Sequence, residues 1–165
     1  MRLVLAAITL VVMVYLGLLL AWPSLIGLRT LEAYSAVYHG SRVTLKVNDS
    51  TVKVDQALKV KVEVVNVGEE SITLYHGHPL LYVAIYNATT GERIRIHPPF
   101  VLDILITTTL QPGEAKSKVY ELRFNKPGSY ALTGLAVFSL ERPPSEEATL
   151  ETTKIIIRIQ EDSTP

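Results

Sequence analysis

The sequence predicts an all-β protein: an immunoglobulin-like antiparallel β-sandwich of eight or nine strands, preceded by one N-terminal transmembrane helix. Three observations carry that prediction. Residues 3–22 form an apolar run without a single charge. From Arg42 onward, apolar side chains alternate with polar ones instead of recurring at helical spacing. Turn pairs such as Pro112-Gly113 and Pro127-Gly128 divide that part of the chain into short strands.

The apolar run comes first in the chain. Twenty helical residues rise about 30 Å, the thickness of a bilayer's hydrocarbon core. Leu, Ile and Val dominate the run, Trp22 suits the membrane–water interface, and Pro23 stops or kinks the helix. Arg2 and the α-amino group flank the N-terminal side, while Arg29 and Glu32 cancel on the other. The positive-inside tendency therefore expects a cytoplasmic N-terminus and an extracytoplasmic remainder, in a single-pass membrane protein. A cleaved signal peptide is the competing reading, but its apolar region is normally shorter, and no Ala-x-Ala site follows the run. The expected organisation is a signal anchor over 1–23, a juxtamembrane linker over 24–40, the sandwich over 41–160 and a disordered tail over 161–165. Leu25, Leu28, Leu31 and Tyr34 stand at helical spacing, which makes a short helix one reading of the linker.

Strands follow in order. Val43, Leu45 and Val47 alternate with Thr44, Lys46 and Asn48. Leu58, Val60, Val62 and Val64 alternate with Lys59, Lys61 and Glu63, and Asn66-Val67-Gly68 closes that strand. A short strand is expected over 72–75, then a longer, almost wholly apolar and therefore central one over 80–86. Thr89-Thr90-Gly91 turns into a strand over 93–96. The β-branched run 101–110, the segment 116–124, the segment 130–140 and the isoleucine-rich 154–160 complete the set. Short strands separated by Gly/Pro turns, with no long amphipathic helix, describe a sandwich. Tyr130 just after Pro127-Gly128 fits either a tyrosine corner or an ordinary core tyrosine.

Composition narrows the function. Sixteen basic and sixteen acidic residues are interspersed, leaving no basic stripe for nucleic acid. Cysteine is absent, which removes disulfides, thiolate chemistry and cysteine-ligated metals. Scarce Asn and Gln add a thermophile tendency.

The stretch 58–140 resembles the BsuPI-type intracellular proteinase inhibitor domain, a small immunoglobulin-like sandwich. The resemblance is carried by the strand ending Val64-Val65-Asn66-Val67-Gly68, the apolar strand leading to Gly91, and the segment from Phe100 to Leu110. The turn Leu110-Gln111-Pro112-Gly113-Glu114 and the run Pro127-Gly128-Ser129-Tyr130 complete it. Ile94 and Ile96 stand where that family carries tryptophans. The resemblance implies a sandwich and, as an expectation, protease inhibition. In layout alone, a membrane helix before a β-sandwich is similar to the F-type stator proteins of the archaeal flagellum, which implies an archaeal cell envelope.

No catalytic residues are expected, since the chain has no G-x-S-x-G, H-E-x-x-H or glycine-rich phosphate loop. No cofactor or small-molecule substrate is expected either. His76 and His78 have ligand-like alternate spacing, but Gly77 and Pro79 suggest a loop, and no metal site is assigned to them. Partner-binding loops are expected instead, at His76 and His78, at Pro98, Pro99 and Phe100, and at Glu146 and Glu147 within the long connection 142–153. Asn48-Asp49-Ser50 and Asn87-Ala88-Thr89 are glycosylation sequons, consistent with export. The leading expectation is a non-catalytic binding or scaffold module, held in the bilayer by residues 3–22 and engaging another envelope protein. A proteinase inhibitor is the second, and a copper or zinc carrier through His76 and His78 the third.

Overall fold

The computed structural model describes residues 30–142 and 146–161. The anchor over 1–23, the first part of the linker and the tail from 162 onward lie outside the described residues. Among the described residues no helix is long and apolar enough to cross a membrane.

The described chain is all-β. Its twelve strands are β1 (Leu31–Tyr34), β2 (Ser41–Val47), β3 (Thr51–Lys53), β4 (Leu58–Asn66), β5 (Ile72–His78), β6 (Leu81–Asn87), β7 (Arg93–His97), β8 (Leu102–Leu110), β9 (Ala115–Leu122), β10 (Gly128–Phe138), β11 (Ala148–Glu151) and β12 (Ile155–Gln160). One sheet has the order β1-β2-β4-β9. The second has the order β3-β12-β10-β6-β7, with β11 also paired to β10. A third unit is the two-stranded ribbon β5-β8.

Period-2 alternation explains the layering. Leu58, Val60, Val62 and Val64 of β4 are fully buried, while Lys59 between the first two is exposed and Lys61 and Glu63 are half-buried. They face Val83 and Ile85 of β6, Leu132 of β10 and Ile155, Ile157 and Ile159 of β12, forming one continuous core. The sheets approach closely at Gly134 of β10. A Cβ there would sit 3.1 Å from Val62 Cγ1 and 3.2 Å from Leu45 Cβ, so the missing side chain sets the spacing.

Three expectations need correction. The strand count is twelve rather than eight or nine, because β1, β3 and β11 each turn inward through one apolar residue, Ala33, Val52 and Leu150. A single buried side chain leaves no period to read. The stretch read as a linker with helical spacing already contains β1, which pairs antiparallel with β2 from Leu31↔Val47 to Tyr34↔Thr44. Burial of Ala33 and the Lys46–Glu32 ion pair at 3.1 Å outweigh the weak helical pattern. The third correction concerns His76-Gly77-His78, which lies in strand β5 and not in a loop. The local irregularity is a bulge, where pairing jumps from His76↔Ile106 to His78↔Leu102.

Both ends of the sandwich are tied by specific bonds. At one end, the buried Asn66 donates from Nδ2 to Glu70 O at 2.7 Å and Leu110 O at 2.9 Å, while its Oδ1 accepts from Gly68 N at 3.0 Å. Nearby, Gly113 adopts φ +78 in the turn that Glu114 N closes on Gln111 O, the left-handed geometry that glycine tolerates. At the other end, Tyr130 Oη donates to Lys126 O at 3.1 Å, and its ring packs 4.6 Å from that of Phe124. That back-bond to a carbonyl four residues upstream is a tyrosine corner.

Candidate functional site

Strand alternation normally gives the outer face of a sandwich sheet polar side chains. Part of this protein's outer face is apolar. The even residues of β6 and the odd residues of β10 point away from the main core, yet Tyr82, Ala84 and Leu135 are buried in a second cluster with Tyr86, Ile96 and Val137.

The ribbon β5-β8 lies beside that face. Two backbone bonds fasten it to the end of β10, Tyr75 N to Ser139 O at 2.9 Å and Ser139 N to Tyr75 O at 2.7 Å. Between the ribbon and the outer face runs a groove of about 930 Å³. Tyr82, Ile94, Ile96, Leu135 and Val137 of the sheet line it together with Tyr75, Ile104 and Leu105 of the ribbon, with Pro98 and Pro99 in the connecting loop. Arg93, Arg95, Asp103 and Glu147 supply its charges. A smaller hollow of about 400 Å³ lies beside β9, bounded by His78, Phe100, Ile106, Lys116, Lys118 and Tyr120. His76 and Pro98 border both hollows.

The chemistry of these walls favours recognition. His76 is buried, with Nδ1 at 2.5 Å from Gly77 O and Nε2 at 2.9 Å from Thr108 Oγ1. A carbonyl only accepts, so Nδ1–H donates to it and Nε2 accepts the Thr108 hydroxyl proton. Burial lowers the His76 pKa from its ordinary value, and neighbouring Lys116 and His78 act in the same direction. Both nitrogens of this neutral ring are thereby committed. His97 is also pushed down by burial and by Arg95, and its ring meets Tyr120 edge-on at 5.2 Å. Burial pushes the Tyr120 phenol up to about 12, and its hydroxyl donates to Leu81 O, joining β9 to β6 across the sandwich.

The structure gathers some of the expected site residues and separates others. His76, Pro98, Pro99 and Glu147 meet around the larger groove, while exposed His78 and Phe100 turn to the smaller hollow. The bulge in β5 separates the two histidines, one inward and one outward. Exposed Glu146 does not line the groove. Among the described residues no three His, Cys, Asp or Glu side chains are grouped to hold a metal. Asn48 is exposed and its Oδ1 accepts from Lys59 N at 3.1 Å. Asn87 is half-buried in the turn after β6, where its Oδ1 accepts from Thr89 N at 2.8 Å and Thr90 N at 3.1 Å.

Sequence reasoning missed the groove's apolar floor. The signal was present in the unbroken run Leu81-Tyr82-Val83-Ala84-Ile85-Tyr86, which reads as a central strand. An apolar outer face that lines a groove gives the same pattern.

No protein-family model matches the sequence, and no curated protein matches it. Similar folds occur among solved structures. The C-terminal domain of wzt is 11% identical over 80% of this chain and 78% of its own, with a TM-score of 0.49. A CARDB domain from Pyrococcus furiosus, solved in complex with di-metal ions, is 18% identical over 76% of this chain and 93% of its own, with a TM-score of 0.38. A β-glucosidase from Erythrobacter marinus is 14% identical over 79% of this chain, with a TM-score of 0.39. The chain spans only 16% of that enzyme's length. These likenesses concern the fold alone.

Proposed function

We propose that this chain is a non-catalytic binding module, anchored in a membrane by residues 3–22 and engaging another envelope protein through the groove beneath the ribbon β5-β8. The observation that carries this reading is the apolar outer face around Tyr82, Ala84 and Leu135, concave where a solvated sheet face would be polar. Aromatic and aliphatic walls with Arg93, Arg95, Asp103 and Glu147 at the margin suit an extended, largely apolar segment of a partner with polar flanks. The charge-free N-terminal run supports the anchored placement, and the two sequons fit an extracytoplasmic domain. The finer assignment, an immunoglobulin-like sandwich of the BsuPI type, rests on the motifs around Gly68, Gly91, Pro112 and Tyr130.

The test is affinity capture of the tagged full chain from membranes of its source, beside the variant Ile94→Glu/Arg95→Glu. Ile94 is half exposed, so the change spares the core. One stoichiometric envelope protein captured by the wild type and lost with the variant is expected. Capture of nothing, or of the same protein by both, refutes the groove assignment.

Protease inhibition is the second reading, favoured by Phe100, 59% exposed beside Pro98 and Pro99. Undiminished activity of a panel of serine proteases incubated with the protein would retire it. The metal-carrier reading has weak geometric support, because His76 must break a hydrogen bond before it can ligate.

A further inference from the structure

Sheet proteins guard their edges, since an open strand edge templates pairing with another chain. Most edges here carry the usual devices. β1, β3 and β11 are only three or four residues long. The edge strand β9 presents exposed Lys116 and Lys118, and the edge strand β7 presents exposed Arg93 and Arg95.

β8 is different. It runs nine residues, pairs with β5 on one side, and among the described residues has no strand on the other. It holds neither proline nor lysine, and its one charge is Asp103. Its first half is open on both faces, with Leu102, Ile104 and Leu105 each 50% or more exposed. Phe100, Val101 and Ile94 continue this surface at 59%, 63% and 51%. Together these six side chains present on the order of 600 Å², the upper end for a monomer's largest apolar patch. Doubled across a two-fold axis, roughly 1,200 Å² is the most that these side chains can bury, the lower bound for stable interfaces.

We propose that the free edge of β8 pairs antiparallel with β8 of a second copy, forming a two-fold dimer through a continuous four-stranded β5-β8-β8-β5 sheet. The strand is self-complementary in one register. Pairing about Ile106 spans residues 103–109 and sets Ile104 opposite Thr108 and Leu105 opposite Thr107, while Leu110, buried with its carbonyl held by Asn66, stays outside it. Asp103 then faces Thr109, whose hydroxyl can donate to the carboxylate, and no like charges oppose each other. The interface is isologous, so it closes at two copies and caps both open edges at once. It would also hold two grooves side by side, and because Ile94, Val101, Asp103, Ile104 and Leu105 line the groove as well, the thiol at 106, outside that lining, is the readout specific to pairing.

The chain has no cysteine, so a single introduced thiol reports the contact directly. The full-length protein in mild detergent would carry Ile106→Cys at the proposed axis or, as a control, Val119→Cys on β9, where Val119 is 53% exposed. Mild oxidation is expected to give a covalent dimer for Ile106→Cys and not for Val119→Cys. Adding Ile104→Lys/Leu105→Lys should weaken self-association by about a hundredfold, because two apolar contacts are lost and the two Lys side chains introduced at 105 become diagonal neighbours on one face of the paired sheet. The urea midpoint of each variant shows that it remains folded. If the lysine variant unfolds, the comparison of positions 106 and 119 still decides. Equal cross-linking at both positions, none at 106, or a dimer that persists in the folded lysine variant would overturn the proposal. So would a photo-cross-linker at 106 that captures a different polypeptide or lipid instead of a second copy.

Discussion

Asn66 joins the β4-β5 connection to the end of β8, and replacing it tests how this end of the sandwich is held. The Asn66→Ala variant removes two donated bonds, to Glu70 O and Leu110 O, and one accepted from Gly68 N. Each buried polar group left without a partner costs about 1–3 kcal/mol. Asn66 is fully buried, and its Leu110 bond is buried as well, so that bond should lose the most. Together with the void left by the side chain, the cost should be about 3–5 kcal/mol, a large share of the total stability of a small domain. For a urea m-value near 2 kcal/mol/M, the midpoint should fall by roughly 2 M with m unchanged. Asn66→Asp separates hydrogen bonding from volume, because an ionised carboxylate cannot donate to either carbonyl. Burial against the Glu70 and Leu110 carbonyls, with Gly68 N–H as its donor, raises the folded-state pKa of the new carboxyl above its unfolded value near 3.9, so the deficit grows above that pH. Relative to wild type at each pH, Asn66→Asp should recover part of its loss on acidification, when the protonated acid regains one donor. Urea titrations at pH 7 and pH 4 provide the assay. A cost below about 1 kcal/mol for Asn66→Ala, or an Asn66→Asp deficit independent of pH, would refute the reasoning.

Other positions give sharper single readouts. Gly134→Ala should destabilise by about 1–3 kcal/mol in urea titration, since its methyl would crowd Val62 and Leu45 between two packed sheets. Tyr120→Phe should cost about 1–3 kcal/mol by leaving Leu81 O without its buried donor, and should remove a phenol that otherwise titrates near 12 in ultraviolet absorbance. Stability should also fall as pH drops below about 6.5. His76 and His97 have depressed folded-state pKa values, so the unfolded chain takes up protons first, and the loss levels off below the folded values. His76→Gln should flatten part of that slope in thermal melts between pH 7 and pH 5.

The elements legible in sequence were those whose burial follows a period. β4 alternates over nine residues, and β10 and β12 carry enough apolar positions between Gly/Pro turns to be placed within a residue or two. β3 and β11 were invisible because each buries one side chain, and β1 because its four residues also fit helical spacing. The site was legible in part. Pro98, Pro99, His76 and Glu147, read from the sequence as partner-binding positions, line the groove, whereas His78, Phe100 and Glu146 do not.

The all-β class was determined by the sequence itself, because alternation and turn chemistry act over a few neighbouring residues and need no distant partner. The composition likewise excluded cysteine chemistry without any knowledge of contacts. Tertiary structure alone decided which apolar faces meet. Tyr82 and Leu135 lie 53 positions apart, yet they share one outer cluster because β6 and β10 are neighbours. A bulge between His76 and His78 sends one ring inward and leaves the other in solvent, and β8 is open because among the described residues the ribbon has no third strand. Those outcomes depend on pairing and register between distant segments, which local periodicity does not encode.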